Sequence, residues 1–340
     1  MKVNKSPILT SVNYGINDFE LDKNLIKTCD KKFNNFNISN KNCVKMHKKC
    51  EKISKNGLNN PNFDILLEIE FNTEPIYLNF DFDQDNDYLV ENLNIIVKEN
   101  VDAKVVVRYI SFVKSYHNGY IYTKLEKNSK LNIIVVNDAD NCSVNLIDYE
   151  NEVLDNAVLD YKIIDFAGDY SVQHFETNII GENSTSNLKS LYFGKNEGKI
   201  DLNYVQNIFG KNNKTSIDCI GALDDNSTKN FKGTIDFKKC AKKSVGNENE
   251  LCLMLSKNAK SKALPMLLCA EEDVDGSHSS AVGKIGDGEL FYIMSRGLSK
   301  KEALQIYVKA RFNFIIKDVF DDKLKQDILE KIDRNINNEN

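Results

Sequence analysis

The stretch "KLNIIVVND" (residues 130–138) alternates its side chains along a run rich in β-branched residues, which is the pattern of a β-strand. Nine further runs between residues 63 and 269 have the same texture. They are "AKVVVRYIS", "GYIYTKLEK", "CSVNLIDYE", "AVLDYKIIDF", "YSVQHFETNII", "SNLKSLYFG", "KIDLNYVQNIFG", "TSIDCIGAL" and "GTIDFKK". The sequence therefore predicts a mainly β fold.

Asn, Asp and Gly separate these runs at intervals of about ten residues, and they tolerate the backbone of tight corners. No helical pattern interrupts this region, so a sandwich, a barrel and a β-solenoid are all candidates. Dipeptides typical of hairpins are sparse, and "HNGY" (residues 117–120) is the best example. Their scarcity favours a coiling solenoid over a hairpin meander.

Both ends of the chain show helical periodicity instead. Apolar residues recur three and four apart within residues 16–56, which predicts two short helices before the break "NGLNNP". Near the other end, Ser299 and Glu302 form a capping box, and Asp321 or Asp322 begins a helix with the stripe Leu324, Ile328 and Ile332. We expect an N-terminal helical region at 1–60, a β core at 61–285 and a C-terminal helical region at 286–340.

Composition excludes several classes of protein. The 340 residues carry 45 basic and 50 acidic side chains, a net charge of -5 with no long basic block, which argues against a nucleic-acid partner. The first residues show no apolar signal region, and no apolar run approaches the length of a membrane span. We therefore expect a cytoplasmic protein whose eight cysteines are buried thiols, metal ligands or reactive groups.

The segment "CVKMHKKC" places Cys43, His47 and Cys50 on one face of a predicted helix. Two thiolates and an imidazole suit zinc, with Cys29 as a fourth ligand. The same residues are equally compatible with a half-buried helix face that binds no metal, because the spacing matches no common zinc finger.

Two other cysteines follow the strand pattern. Cys252 alternates with Leu251 and Leu253 and so faces the opposite side of its strand, and Cys269 is in step with Leu267. Thiolates at solenoid edges could bind iron. The alternative is that each is a small core residue. His117 and His174 are expected to be surface or hydrogen-bonded residues, and no motif of a catalytic triad or phosphate loop is present.

The segment "LMLSKNAKSKALPMLLCAEEDVDGSHSSAVGKIGDGELFYIMSRGLSKKEA", together with "FKGTIDF" (residues 231–237), closely resembles the C-terminal core of the SufB/SufD iron–sulfur cluster assembly proteins. The resemblance covers roughly a third of the chain. It implies a right-handed parallel β-helix core with short N-terminal helices and a C-terminal helical segment.

The resemblance also implies a scaffold for a transient iron–sulfur cluster and no enzyme activity. Family members pair through their β-helices and bind a SufC-type ATPase through the C-terminal helical part, here with Arg296, Tyr307, Phe312 and Ile315 as the expected contacts. Sulfur would arrive as persulfide from a cysteine desulfurase, and the family also implies a reduced flavin in some cases.

His278 matches the histidine that lies beside the cluster site in SufD-type members, so it is expected to be a ligand or a neighbour of the cluster. SufB-type members carry a glutamate and a cysteine where this chain has Ser279 and Glu250, and SufD-type members often have a cysteine at Gly276. The chain therefore resembles a short SufD-like member. Its partner would be a SufB-type paralogue or a second copy of itself, in which case Cys252 and His278 from two copies would be the natural ligand set.

Two alternatives remain open. One is a structural partner that holds the interface and the ATPase but binds no cluster. The other is a carbohydrate-active β-solenoid, for which no carboxylate pair suited to glycoside chemistry is found.

Overall fold

The computed structural model describes residues 2–9, 14–22, 31–40, 44–47, 61–72, 74–139 and 142–337. Sixteen consecutive strands of this part of the chain coil into a parallel β-helix of eight turns, with two strands in each turn. Successive strands alternate between two sheets of nine described strands each. This arrangement confirms the predicted β-solenoid, and the parallel pairing agrees with the scarcity of hairpin dipeptides.

We number the elements in chain order and name the sheets I and II. Sheet I contains β3 (Phe36–Ile38), β6 (Ile76–Phe82), β8 (Asp102–Ser111), β10 (Lys130–Asp138), β12 (Val158–Phe166), β14 (Thr185–Gly194), β16 (Lys214–Leu223), β18 (Ser244–Met254) and β20 (Val274–Lys284). Sheet II contains β4 (Val44–His47), β5 (Phe63–Ile69), β7 (Tyr88–Val97), β9 (Tyr116–Leu125), β11 (Val144–Val153), β13 (Tyr170–Ile179), β15 (Lys199–Ile208), β17 (Thr228–Phe237) and β19 (Lys260–Cys269). A separate pair is formed by β1 (Lys2–Val3) and β2 (Phe19–Glu20).

The period of two in each strand divides its side chains between two environments. In β10, Ile133 and Val135 point into the core between the sheets, whereas Ile134 and Val136 pack against the C-terminal helices. Sheet I is thus buried on both faces over much of its area, which explains the nearly continuous apolar runs of its strands.

Asparagines shape one corner of the β-helix. Asn100, Asn128, Asn156, Asn183 and Asn212 all have positive φ angles, between 53° and 62°, and recur every 27 to 29 residues. Asparagine tolerates this left-handed conformation better than most residues. The side chains also form a ladder, since the Nδ2 of Asn128 donates to Asn100 Oδ1 at 2.9 Å and that of Asn156 to Asn128 Oδ1 at 3.0 Å. A left-handed asparagine therefore marks this corner in five of the eight turns, and Lys243, with a φ of 58°, has the same conformation in the turn that follows.

Three helices follow the last strand in the described residues: α1 (Asp287–Met294), α2 (Lys300–Ile316) and α3 (Asp322–Asn337). The predicted capping box of Ser299 and Glu302 is present at the start of α2. The Asp321 carboxylate accepts the backbone N–H of Leu324 at the start of α3. Helices α2 and α3 pack their apolar faces on the outer surface of sheet I. Ion pairs such as Arg108 with Asp327 fasten α3 to the strands.

The prediction of helices in the N-terminal region is wrong where the structure describes it. Strands β3 and β4 lie there instead, and they pair antiparallel with β6 and β5. These pairs cover the first turn of the β-helix, whose edges would otherwise expose unpaired backbone groups, so tertiary context overrides the helical periodicity. The remainder of the predicted helical segments falls on residues 23–30, 41–43 and 48–60, outside the described residues.

The described residues include no helix that is both long and apolar enough to cross a bilayer.

Candidate functional site

The last turn of the β-helix consists of β19 and β20, and it lies above β17 and β18 as the final layer. We call this final layer the open end. Cys252 of β18 belongs to the core between the sheets, so Glu248 and Glu250 of the same strand also face inward. Because β20 pairs in register with β18, His278 lies beside Glu248 and Ser280 beside Glu250. These inward-facing residues and one lysine of β17 form the open-end cluster: Lys229, Glu248, Glu250, Cys252, His278 and Ser280.

An ion pair lies at the centre of the open-end cluster. The Nζ of Lys229 donates to Glu250 Oε1 at 2.6 Å, and neither side chain is exposed. Ser280 donates its hydroxyl to the other oxygen of Glu250 at 2.7 Å. The phenol of Tyr192 approaches Glu250 Oε1 at 3.5 Å, and burial holds the Tyr192 pKa well above its usual value. A strand of the open end is thus linked by hydrogen bonds to a buried charge pair.

Cys252 is fully buried beneath the open end. Its neighbours Leu251 and Leu253 pack toward the helices, which confirms that Cys252 faces the opposite side of the strand. Burial raises the pKa of the Cys252 thiol, and the nearby Lys229 ammonium opposes this shift. The thiol is therefore uncharged and sheltered from solvent in the lone chain, and it would need both solvent access and the lysine to become a nucleophile.

Glu248 is the most unusual carboxyl group of the cluster. Its side chain is fully buried, and neither of its oxygens has a hydrogen-bond partner of good geometry in the described part of the chain. Burial raises its pKa to about 8; the Met266 backbone N–H opposes this shift and the charge of Glu250 adds to it. The carboxyl group lies against Gly233, where a Cβ atom would stand 2.1 Å from Glu248 Oε1. Gly233 therefore provides the space that this carboxyl group occupies.

His278 is exposed on β20, at the edge of sheet I. It pairs in register with Glu248, whereas Cys252 pairs with Val282, four residues further along β20. At about 3.3 Å per residue, the separation along the strand is about 13 Å. The structure therefore places Cys252 and His278 on the same inward face of the open end but does not bring them together within one chain.

Cys269 lies at the end of β19 beside Phe237. Its register gives it an inward orientation, but its side chain is exposed because no further turn covers it. The interpretation of Cys269 as a small core residue is therefore not supported by its exposure. Across the residues that the structure describes, no three His, Cys, Asp or Glu side chains are grouped closely enough to hold a metal ion.

The predicted zinc site near the N-terminus falls largely outside the described residues, which include neither Cys43 nor Cys50. His47 lies in strand β4, not in a helix, so the helical spacing on which that prediction depended is wrong here. Its Nε2 atom stands 3.0 Å from Glu68 Oε2 on the neighbouring strand. Zinc binding at these three residues stays a prediction.

The residues predicted to contact the ATPase differ in how deeply they are buried. Phe312 and Ile315 are fully buried between α2, α3 and sheet I, so the expectation that these two side chains meet a partner is wrong: the helix needs them for its own packing. Tyr307 is half-buried, and Arg296 is exposed and donates to the Tyr292 hydroxyl at 2.7 Å. Other apolar side chains of α1 and α2 face solvent instead: Phe291, Tyr292, Met294, Ile306 and Phe314.

Sequence reasoning missed Lys229, Glu248 and Glu250. A signal was present, because the period of two in "GNENELCLM" puts both glutamates on the same face as Cys252. That period does not identify which face is inward, nor does it show that Lys229 of the opposite sheet meets Glu250. Both facts depend on the register between turns.

Several curated iron–sulfur cluster assembly proteins are similar to this chain. The SufD iron–sulfur cluster assembly protein of Bacillus subtilis is 28% identical over 162 residues, 47% of this chain and 37% of its own length. SufD of Escherichia coli is 30% identical over 157 residues, covering 46% and 37%, and a SufBD family protein of Pyrococcus horikoshii is 33% identical over 140 residues, covering 41% and 31%. The chain thus spans about a third of the length of these curated relatives.

A family model matches a longer segment, which includes most of the β-helix, the open end and the first part of α2. Its description is "SUF system FeS cluster assembly, SufBD core domain", and the match extends over residues 80–311, more than half of the chain. The chain therefore belongs to the SufBD family of the SUF system for iron–sulfur cluster assembly.

Proposed function

We propose that this chain is a cytoplasmic scaffold subunit, without turnover of its own, on which an iron–sulfur cluster is built at the open end and then passed to apo-proteins. One observation carries the proposal. The open end presents an exposed histidine, His278, in register with the buried Glu248, and the buried Lys229, Glu250 and Cys252 lie further along the same layer. Imidazole, carboxylate and thiolate are the side chains that bind iron.

The end strands supply a surface for a second subunit. Among the described strands, β20 pairs only with β18 and β19 only with β17, so each has one unpaired edge. Such edges readily pair with another chain. Gly276, Ser277 and Ser279 are small, which permits close approach of a partner. We infer pairing with a SufB-type paralogue or with a second copy, which would bring ligands of two chains to one interface.

A SufC-type ATPase would bind at the C-terminal helices. Helix α1 has no buried residue and exposes Phe291 and Tyr292, and α2 exposes Ile306 and Phe314. Exposed apolar groups on neighbouring helices are typical of a protein interface. Arg296 lies in the turn after α1 and Tyr307 lies in α2, so we retain both as proposed contacts.

The burial of Cys252 gives the ATPase a role in this scheme. A cysteine desulfurase would deliver sulfur as persulfide, which needs a reachable and ionised acceptor thiol. In the structure the Cys252 thiol is buried and its pKa is raised. We infer that ATP-driven movement at the helices opens the end strands and exposes Cys252 beside Lys229.

Anaerobic reconstitution tests the proposal. The full chain, alone and with its ATPase, is supplied with ferrous iron and sulfide, and bound iron, acid-labile sulfide and visible absorption are measured. We expect a cluster that His278→Ala loses. His174→Ala is the matched control. His174 lies on β13 in the middle of the β-helix, hydrogen-bonded to Asn203, so its loss should not affect the cluster. Equal cluster content in wild type and His278→Ala would contradict the assignment.

A second candidate is a structural subunit that binds no cluster itself. The separation of Cys252 and His278 by four residues of register favours it, because one chain does not present a compact ligand set. Firm binding of the ATPase, with no cluster on the lone chain or its homodimer, would support this candidate.

A further inference from the structure

Glu248 is a buried carboxyl group whose presence is not explained by the packing of the fold. Its two oxygens have no well-oriented partner among the described residues, although unpaired buried polar groups are rare and costly. The carboxyl group of Glu248 fills a space that is available only because residue 233, on the opposite sheet, is the glycine Gly233. A buried carboxyl group without such partners indicates a site that a bound ligand would complete.

The register partner of Glu248 on the open side is His278. The two are partners in the parallel pairing of β18 and β20, and they share the inward face of sheet I. Neighbouring strands are about 4.8 Å apart, so in-register side chains on one face can contact a single ion. The other carboxyl group of the cluster, Glu250, already has Lys229 and Ser280 as partners and is therefore not free for this purpose.

We propose that the Glu248 carboxylate and the His278 imidazole together bind ferrous iron at the open end before sulfur arrives. This inference rests on the proposed function, in which iron is a substrate of the scaffold. The pair supplies one oxygen and one nitrogen ligand, and both kinds of ligand bind Fe²⁺. Cys252 lies about 13 Å further along the strand and so supplies no thiolate to this ion. Binding releases the carboxyl proton to solvent. The open positions on the ion would take water or a ligand of the second subunit.

The test measures metal binding without sulfide, so that it does not depend on cluster formation. The full chain is titrated anaerobically with Fe²⁺ in equilibrium dialysis, and with Co²⁺ as a spectroscopic probe. We expect Glu248→Gln and His278→Ala each to raise the Kd by about tenfold or more. Glu248→Asp, which keeps the carboxylate, should bind better than Glu248→Gln. The part of the Co²⁺ spectrum that Glu248→Gln removes should lack thiolate charge-transfer absorption.

The chain contains a matched control. His174 and Glu176 on β13 form another pair of imidazole and carboxylate, at 3.7 Å. His174→Ala should leave the affinity unchanged. Equal affinity in wild type and Glu248→Gln would overturn the proposal. Thiolate absorption with Co²⁺ that Cys252→Ser removes would overturn it also. Failure of cluster assembly with intact, Glu248-dependent Fe²⁺ binding would contradict only the proposed function.

Discussion

Lys229 and Glu250 form a hydrogen-bonded ion pair of 2.6 Å between two opposite sheets, and neither side chain is exposed to solvent. Taking two charges out of water is costly, and their mutual attraction repays this only with good geometry and further hydrogen bonds. Ser280 provides one such bond from the edge strand. The pair therefore couples the stability of the last turn to the position of β20.

We expect Lys229→Met to lower the free energy of unfolding by about 3–5 kcal/mol, because it leaves a buried carboxylate without its counter-charge. Replacing both partners, as in Lys229→Met with Glu250→Leu, should restore most of the loss. Chemical denaturation measures both. Lys211→Met is the control, since the ion pair of Lys211 with Glu182 is about half exposed and should be worth about 1 kcal/mol or less. Equal losses for Lys229→Met and Lys211→Met would contradict this account.

Glu248 should make stability depend on pH. Its pKa rises from 4.5 to about 8 in the folded chain, mainly through burial. Between these values the folded state retains a proton that the unfolded state has released, so the free energy of unfolding falls as pH rises, by about 1.4 kcal/mol per pH unit. More than about one pH unit below 4.5 or above 8 the group contributes almost no slope.

Glu248→Gln removes this titration. Its free energy of unfolding should therefore decline less than that of wild type between about pH 5 and pH 8, when both are measured with a chelator present. Parallel curves for the two proteins would show that Glu248 keeps an ordinary pKa. The measurement uses no iron, so it tests the burial of the group independently of its proposed ligand role.

Gly221 is required by the ring of Tyr192. A Cβ atom at Gly221 would stand 2.1 Å from the Tyr192 ring, and overpacking of this kind costs about 1–3 kcal/mol or more. We expect Gly221→Ala to be destabilised by at least this amount, and Gly221→Ala with Tyr192→Leu to lose less than the sum of the single changes. Gly283→Ala is the control, because nothing lies within 4 Å of the position that its Cβ atom would take. Additive losses would mean that the two residues do not compete for space.

The sequence predicts the β-helix well because each strand carries its own period of two and the corners carry asparagine. The period of the coil was also present in the sequence, as Asn100, Asn128 and Asn156, but only the positive φ angles separate these residues from the many other asparagines. The N-terminal strands could not be predicted, since their backbone partners β5 and β6 lie about 20 to 40 residues away. Helical periodicity depends on neighbouring residues, whereas the pairing of an edge strand depends on residues far away in the sequence.

The candidate site was predicted only in part. His278 and Cys252 were identified from the resemblance and the strand period, and whether they bind iron stays a prediction. Glu248 and Lys229 were missed because their surroundings depend on how one turn lies on the next. The resemblance assigned Phe312 to the ATPase contact, but the sequence could not tell whether Phe312 meets sheet I or a partner protein.

Phe312 and Phe314 distinguish the face of α2 that packs on sheet I from the face that we propose binds the ATPase. Phe312 is fully buried against sheet I, whereas Phe314 is 43% exposed and lies near the ammonium groups of Lys189 and Lys317. Phe312→Ala should therefore lower the free energy of unfolding by about 3–5 kcal/mol. Phe314→Ala should leave stability nearly unchanged and weaken binding of the SufC-type ATPase.

Denaturation together with a pull-down of the purified ATPase checks both halves of this expectation. Each variant is the control of the other, because the same side chain is truncated two positions apart on one helix. Undiminished ATPase binding by Phe314→Ala would move the docking surface away from the exposed face of α2 and leave α1, with Phe291 and Tyr292, as the place to examine. A large loss of stability in Phe314→Ala would instead show that this face packs within the chain, since an exposed phenylalanine contributes little to the core.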